Sequence, residues 1–201
     1  MSEPPFGAYQ PTAFQARLIA WGRGLPANKL GKRTASLIRS YLSRTVRQPI
    51  DVTTLGQNMR LHPWDNACEK RLLVTPQFFD PAELAFIASR LHPKFALVDI
   101  GSNVGAYSIF VARNGGETAR VVAIDPNEKV LARLRFNAEA NNLKNIVPIR
   151  AAVGDRNGHV SLRIGKQNMG GSSIVAQKRL RQDSETIEVP MRTLASILAE
   201  T

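Results

Sequence analysis

A short turn bounded by two glycines contains the residues best suited to bind a ligand. It follows an apolar run and precedes a helical pattern, and its candidate binding residues are Asp99, Gly101, Ser102, Asn103 and Gly105. Glycines let the backbone turn sharply and approach a ligand without a side-chain clash. Their Gly-x-x-x-Gly spacing differs from the Gly-x-Gly-x-x-Gly of dinucleotide-binding turns, which bring a pyrophosphate to a helix N-terminus. The looser turn, with an acid at the strand end, is expected to bind a ligand that lacks phosphates.

A second acid ends the next apolar run. Asp125 lies 24 positions after Gly101 and is followed by Pro126 and Asn127, which end the strand and start the next helix. An ionised carboxylate only accepts hydrogen bonds, so it can take both hydroxyls of a ribose. We therefore place Asp125, Pro126 and Asn127 in the binding site. The alternative role for Asp125 is a helix cap.

A third apolar run leads to a third acid. Residues 151–153 end at Val153, and Asp155 follows within an Asp-Arg-Asn-Gly sequence. The carboxyl ends of parallel strands form a ligand-binding crevice in open α/β sheets. Val153 and Asp155 are therefore expected near the base of a bound nucleoside, but an ordinary turn acid is an equally good interpretation of Asp155.

The elements that must position these residues alternate along the chain. Short apolar runs predict buried strands at 96–100, 121–125 and 147–153, and helical spacing predicts helices at 105–113 and 128–140. The alternation of strands and helices predicts an α/β fold with a parallel sheet. Further strands are expected at 159–164 and 187–189 and a helix from 194, while 170–173 is expected to be a loop or a substrate lid.

Three regions are expected along the chain. Residues 1–50 form a basic arm, with proline- and glycine-rich residues 1–12 disordered and one or two helices in 13–47. Residues 51–94 hold a hairpin and a helix that begins at Asp80-Pro81. Residues 95–201 form the ligand-binding core.

Charge is concentrated in the arm. The chain of 201 residues has a formal net charge of +11, and residues 1–50 hold eight basic residues against Glu3 alone. A helical arm packing on its own domain or on a second subunit, as in a homo-oligomer, is the first interpretation. An anionic membrane surface is the second. Nucleic acid is the least favoured, because no module that combines basic and aromatic residues is recognisable.

Composition limits the class of protein. A hydrophobic content of 43% supports a core, and the single cysteine, Cys68, excludes a disulfide scaffold or a multi-cysteine zinc site. No metal site is expected. The first residues lack the basic and apolar pattern of a secretory signal, and no apolar run is long enough to span a membrane. A cytoplasmic location is therefore expected, with peripheral membrane contact through the arm as an extension.

The ordered motifs resemble a known family. The segment Asp99–Gly105, followed by Tyr107-Ser108, is similar to the first motif of class I S-adenosylmethionine-dependent methyltransferases, which have a Rossmann-like core. The whole series resembles the FkbM family in particular, over roughly residues 50–201. Its further pieces are Asn66-x-x-Glu69, Asp80-Pro81 and the segments 124–127, 134–137, 151–158, 170–173 and 189–194.

The resemblance implies a function. It implies methyl transfer from S-adenosylmethionine to a hydroxyl of a sugar or a small natural product. Asp99 and Gly101 would lie by the methionine and ribose end of the cofactor, Asp125 would hold the ribose, and Asp155 would meet the adenine. Catalysis would depend on aligning oxygen, methyl carbon and sulfur, with a base to take the proton; no residue is assigned as that base.

The sequence departs from the family pattern at its C-terminal end. It ends at Thr201, before the strand with Lys-x-Asp-x-Glu-Gly that lies beside the first strand in the family. The parallel sheet is therefore expected to be incomplete, with residues 98–100 at an exposed edge. A truncated, non-catalytic binding or interaction protein is the alternative function. An RNA methyltransferase, motivated by the +11 charge, is a weaker one.

Overall fold

The computed structural model describes residues 3–165, 168–174 and 184–201. These residues form two compact units, Met1–Phe86 and Ile87–Thr201. The structure therefore groups the predicted arm with the hairpin that follows it, and the division falls within one helix, α4 (Pro81–Arg90).

The first unit combines helices with one hairpin. Its elements are α1 (Ala13–Arg23), α2 (Lys29–Thr45), β1 (Ile50–Thr54), β2 (Gln57–Leu61), α3 (Ala67–Val74), a 3-10 turn (Pro76–Phe78) and the start of α4. The two strands pair antiparallel, with Ile50 opposite Leu61. Side-chain caps fix where the helices begin: Thr12 accepts from the backbone of Gln15, and Asn28 accepts from Gly31.

Residues 4–9, in the segment expected to be disordered, are held by hydrogen bonds to the hairpin. The Asp51 carboxylate accepts hydrogen bonds from the backbone N–H groups of Gly7 and Tyr9, and Arg60 donates to the carbonyls of Pro4 and Pro5. Prolines and glycine favour irregular backbone but do not prevent it from being held by distant side chains. The described part of this segment is thus attached to the hairpin.

The second unit contains the parallel sheet. Its strands β3 (Ala96–Ile100), β4 (Arg120–Ile124) and β5 (Ile146–Ile149) lie in the order β3-β4-β5. Helix α5 (Ala106–Asn114) connects β3 to β4, and α6 (Glu128–Glu139) connects β4 to β5. The predicted α/β fold is confirmed, and β3 pairs only with β4 within the described residues.

The central strand buries both of its faces. Val121 and Ala123 pack with residues of α5 and α6 in two apolar clusters. Val122 and Ile124 point the other way and pack with Ile197, which lies in α7 (Leu194–Leu198). Because both faces of β4 are covered, its sequence is a continuous apolar run and does not alternate between apolar and polar residues.

The predicted third strand, 147–153, is wrong as a single element. The chain leaves the parallel sheet after β5, and residues Ala152–Val153 form a separate strand, β6. It joins a second sheet in the order β6-β9-β7-β8, formed with β7 (Gly158–Gly165), β8 (Asn168–Ile174) and β9 (Ser184–Arg192). Residues 170–173, expected to be a loop or a substrate lid, lie in strand β8. The partner of β6 is 39 residues away, opposite Met191, so the local pattern could not reveal it.

Candidate functional site

The turn between β3 and α5 crosses the carboxyl end of the neighbouring strand. The backbone N–H groups of Gly101 and Ser102 donate to the Ile124 carbonyl at 2.8 and 3.1 Å. Three residues of the turn have positive φ: Gly101 at +80°, Asn103 at +50° and Gly105 at +88°. Asparagine tolerates this conformation better than most side chains do, and glycine adopts it freely. The sequence thus supplies a residue compatible with the backbone at each of these positions.

The two glycines of the turn have different surroundings. A Cβ atom at Gly105 would lie 2.9 Å from Cγ of Leu134 and 3.2 Å from Cδ1 of Ile109. Gly105 is therefore required for packing α5 against α6. No atom lies within 4 Å of a Cβ built at Gly101, which is exposed. The backbone at Gly101 is open to a ligand, whereas Gly105 serves packing, the alternative function of glycine in such turns.

Asp125 connects the two loops at the ends of β3 and β4. Its Oδ2 accepts from the backbone N–H of Asn103 at 3.0 Å, and its Oδ1 accepts from that of Asn127 at 2.9 Å. The residue is only 8% exposed. Each carboxylate oxygen has a further lone pair, so the group can still accept hydrogen bonds from a ligand. The structure therefore brings together Asp125, Asn103 and Asn127, three of the predicted binding residues.

The helix cap considered for Asp125 is supplied by another residue. Asn127 is the N-cap of α6, and its side chain accepts from the backbone N–H of Lys129 at 3.1 Å. Pro126 stands between these two residues and is half-buried. Asp125 therefore does not cap α6, and its carboxylate instead connects the two loops by accepting from Asn103 and Asn127.

Asp99 is a second, partly buried carboxylate near the same end. Its Oδ2 accepts from the Ser108 hydroxyl at 2.6 Å. Burial raises the pKa of Asp99, although the hydrogen bonds from Ser108 oppose the shift. Ser108 is fully buried in α5, and its role was not predicted. Its polar side chain on the inner face of a helix was the available signal.

The two acids also affect each other. Burial raises the pKa of Asp125 above its ordinary value, backbone hydrogen bonds from Asn127 and Asn103 oppose the shift, and the charge of Asp99 adds to it. Acids whose pKa is shifted by burial and by a neighbouring charge are concentrated at functional sites. A ligand that donates hydrogen bonds would complete the environment of Asp125.

Ser102 supplies an incompletely satisfied polar group in the same turn. The residue is 4% exposed, and its hydroxyl has no hydrogen-bond partner within the described protein. Buried hydroxyls normally have a partner. An acceptor-only carboxylate, an unpartnered hydroxyl and an open glycine backbone together fit a nucleoside, whose ribose provides two neighbouring hydroxyls. These residues, with Asp99 beside them, could hold such a cofactor.

Val153 and Asp155 are placed differently. Val153 lies in β6 and packs in the apolar cluster of Ile124 and Ile197. Asp155 is exposed in the bend before β7, and the preceding residue, Gly154, donates its backbone N–H to the Arg192 carbonyl. Asp155 thus has the surroundings of an ordinary turn acid, and its contact with an adenine stays a prediction.

Two other features of the described residues have no role in this site. A cavity of about 300 Å³ lies between α6 and β5 and is lined by residues that include Leu134, Leu143 and Ile146. It is at the amino-terminal end of β5, opposite the end at which Asp125 lies. Across the same described part of the chain, no three His, Cys, Asp or Glu side chains are grouped as metal ligands.

Comparison with solved structures gives partial matches of low identity. A protein from Clostridium thermocellum described as an rRNA methylase is 22% identical, and the match covers 35% of the present chain and 39% of the Clostridium chain, with a TM-score of 0.34. A SAM-dependent methyltransferase from Agrobacterium tumefaciens is 16% identical over 53% and 33%, with a TM-score of 0.41. A Pyrococcus abyssi tRNA (uracil-54, C5)-methyltransferase is 19% identical over 51% and 24%, with a TM-score of 0.39. The matched part of this chain thus corresponds to about a quarter to two fifths of these proteins.

The family is established by sequence. A search of curated proteins found no significant match. The model of the methyltransferase FkbM domain matches residues 99–201, which are just over half of the chain and include Asp99, Asp125 and the turn between β3 and α5. The chain therefore belongs to the FkbM methyltransferase domain family.

Proposed function

We propose that the protein binds S-adenosylmethionine and transfers its methyl group to a hydroxyl oxygen of a sugar or a small natural product. The family and the position of Asp125 support this proposal. The observation that carries it is the buried Asp125 carboxylate, held by the N–H groups of Asn103 and Asn127 at the end of the sheet. A carboxylate so fixed is pre-organised to accept from two neighbouring hydroxyls.

Each residue of the site has a separate task in this proposal. Asp125 accepts from the ribose hydroxyls, the Ser102 hydroxyl gains its missing partner, and Gly101 lets the cofactor approach the backbone. Asp99 stands at the end of the first strand, by the methionine and ribose end of the cofactor. Pro126 and Asn127 keep the second loop in place.

The chemistry requires mainly alignment. S-adenosylmethionine supplies a methyl group activated by its positively charged sulfur. As the bond from the acceptor oxygen to the methyl carbon forms, the carbon–sulfur bond breaks and the hydroxyl proton leaves to a base or to water. Holding the oxygen, carbon and sulfur in line contributes most of the rate increase in such a reaction.

The test is calorimetric titration with S-adenosylhomocysteine, the product form of the cofactor. We expect binding, and we expect Asp125→Ala to weaken it about 10- to 100-fold, the range for losing hydrogen bonds to a charged group. The control is Glu117→Ala, which removes the same charge from an exposed position of the same unit. Circular dichroism would show that each variant is folded.

The outcomes separate the candidate functions. Binding that Asp125→Ala weakens by this amount or more and Glu117→Ala leaves intact would support the proposal and justify a screen of hydroxyl-bearing acceptors. No binding by the folded protein would refute it and favour a non-catalytic interaction protein. RNA binding that weakens steeply with salt, with methyl transfer to RNA, would favour the RNA methyltransferase.

A further inference from the structure

Helix α1 exposes aromatic side chains on one face. Phe14, Arg17 and Trp21 recur at intervals of three and four residues, so they share that face. All three are exposed, and the aromatic side chains are 58% and 57% accessible. The buried residues of this helix, Ile19 and Gly22, lie at other positions.

Helix α2 has a similar exposed stripe. Leu30, Arg33, Leu37, Tyr41 and Arg44 follow one another at intervals of three or four residues, and all five are exposed. Leu30 is 74% accessible and Leu37 is 67% accessible. The opposite side of the helix is buried through a separate set of residues, namely Gly31, Ala35, Ile38 and Leu42. The apolar residues of the exposed stripe are therefore additional to those that pack α2 in its own unit.

A ring contact joins the two stripes. The Phe14 and Tyr41 rings meet edge to face, with centroids 6.1 Å apart and an interplanar angle of 80°. We call the combined surface, formed by Phe14, Arg17, Trp21, Leu30, Arg33, Leu37, Tyr41 and Arg44, the aromatic–basic face. A single exposed leucine is ordinary, but adjoining exposed large apolar side chains usually mark an interaction site.

The charge of this face defines its partner. Its three arginines are exposed, and residues 4–50 contain no Asp or Glu. Apolar side chains that project beside arginines match the interface of an anionic bilayer, where the rings and leucines enter the acyl boundary and the guanidinium groups meet headgroups. We propose that the aromatic–basic face binds the surface of an anionic lipid membrane, with α1 and α2 lying in the interface.

The composition of the face argues against the other partners. RNA would be bound by arginines and stacked aromatic rings, and would leave the projecting Leu30 and Leu37 without a function. A second copy of the same face would bring arginines against arginines, with no acidic residue on either helix to compensate. Within the described residues no helix is long and apolar enough to cross a membrane.

Vesicle flotation tests the apolar part of the proposal. The full chain should float with vesicles of phosphatidylcholine and phosphatidylserine, and much less with vesicles of phosphatidylcholine alone. Leu37→Glu should lower the partition coefficient about tenfold or more, because the variant loses a leucine that would enter the acyl boundary and gains a negative charge. The matched control, Phe86→Glu, changes an apolar residue of similar exposure on α4, outside the face, and should bind like the wild type.

A second pair of variants tests the charge. The double variant Arg33→Gln/Arg44→Gln should lower binding to the anionic vesicles about thirtyfold. The control Lys144→Gln/Arg156→Gln has the same net charge, but its substitutions lie outside the face, and it should bind like the wild type. In a Trp64→Phe background, Trp21 is the only tryptophan, and its emission should shift to the blue when anionic vesicles are added.

Three results would overturn the proposal. One is equal loss of binding in Leu37→Glu and Phe86→Glu. Another is a dimer in light scattering that Leu37→Glu dissociates, which would make a second copy the partner. The third is binding to tRNA in place of vesicles, with Leu37→Glu unaffected. None of these tests depends on the methyltransferase activity, so the proposal and the proposed function can fail independently.

Discussion

Replacing Arg60 by methionine should release the N-terminal segment and destabilise the first unit. The Arg60 side chain is 1% exposed, and all five of its N–H groups donate hydrogen bonds. Two go to Asp51 at 2.8 and 2.9 Å, and three go to Glu3, Pro4 and Pro5. The variant therefore removes the cation of a buried ion pair and the donors that hold the segment.

The expected cost follows from what remains. Breaking a buried ion pair by removing one partner costs about 3–5 kcal/mol, because the other charge is left uncompensated. The N–H groups of Gly7 and Tyr9, which donate to Asp51 at 2.7 and 3.1 Å, leave with the released segment, but water can then solvate the Asp51 carboxylate. We therefore expect the lower end, a loss of about 3 kcal/mol in the free energy of unfolding of this unit.

Urea denaturation followed by tryptophan fluorescence measures this loss. The chain has two tryptophans, Trp21 and Trp64, and both lie in the first unit, so their emission reports its unfolding. Amide hydrogen exchange of residues 3–9 reports release of the segment. The control is Asp80→Asn, which neutralises the partly exposed pair with Arg71 in the same unit and should cost less than about 1 kcal/mol.

Two results would refute this reasoning. A cost below about 1 kcal/mol for Arg60→Met would show that the buried pair does not stabilise the unit. Unchanged exchange protection of residues 3–9 would show that the segment is held by other contacts.

The same ion pair predicts an acid transition. Burial raises the pKa of Asp51, but hydrogen bonds from Arg60, Tyr9 and Gly7 outweigh it and hold the pKa below its ordinary value of 3.8. An acid with lowered pKa stabilises the folded state above its unfolded pKa, and this stability is lost as the pH falls through the native value. The protection factors of the Gly7, Ala8 and Tyr9 amides, which compare their exchange with that of an unfolded chain at the same pH, should fall in that acidic range.

Three further changes test the candidate site. Gly105→Ala should lower the free energy of unfolding by about 2–4 kcal/mol, because alanine would have a positive φ there and its Cβ would lie 2.9 Å from Leu134. Urea denaturation followed by circular dichroism measures this cost, and a cost below about 1 kcal/mol would contradict the reasoning. In Gly101→Ala the added Cβ has no atom within 4 Å, so the variant should lose only about 1–2 kcal/mol of stability through backbone strain. The same Cβ should weaken S-adenosylhomocysteine binding in calorimetry, and unchanged affinity would place the ligand elsewhere. Asp99→Asn should stabilise the protein increasingly as the pH rises. Burial raises the pKa of Asp99 in the folded protein above 3.8. The wild type therefore loses stability as the pH rises through that value and Asp99 ionises, whereas the amide of the variant does not ionise. A difference in stability between variant and wild type that does not vary with pH would argue against a raised pKa.

The ends of the parallel strands were predictable from local pattern. Apolar runs that end in Asp99 and Asp125 indicate two parallel strands, and the carboxyl ends of such strands meet at one edge of a sheet. Asn103 and Asn127 follow these acids within a few residues, so their proximity to Asp125 was implied. The different surroundings of Gly101 and Gly105 were not, because they depend on a side chain of α6 about thirty residues away.

The incorrect predictions share a physical cause. Residues 3–9 have no apolar periodicity, and what holds them is a buried arginine at position 60, more than fifty residues along the chain. The 147–153 strand was predicted from its apolar character alone, but β6 pairs with β9 in another sheet. Neither long-range partner leaves a signal in the nearby sequence.

The division between the two sheets of the second unit has a consequence for the order of folding. The parallel strands β3, β4 and β5 are complete once residue 149 is available, and each is joined to the next by a single helix. Pairing of Ala152 with Met191 closes a loop of 39 residues and needs β9. Because distant pairings form more slowly than near ones, the end of β4 that carries Asp125 should be assembled before the second sheet closes beside it. A nascent chain would therefore have Asp125 in place at the end of the parallel sheet while the second sheet, which includes Val153, is still forming.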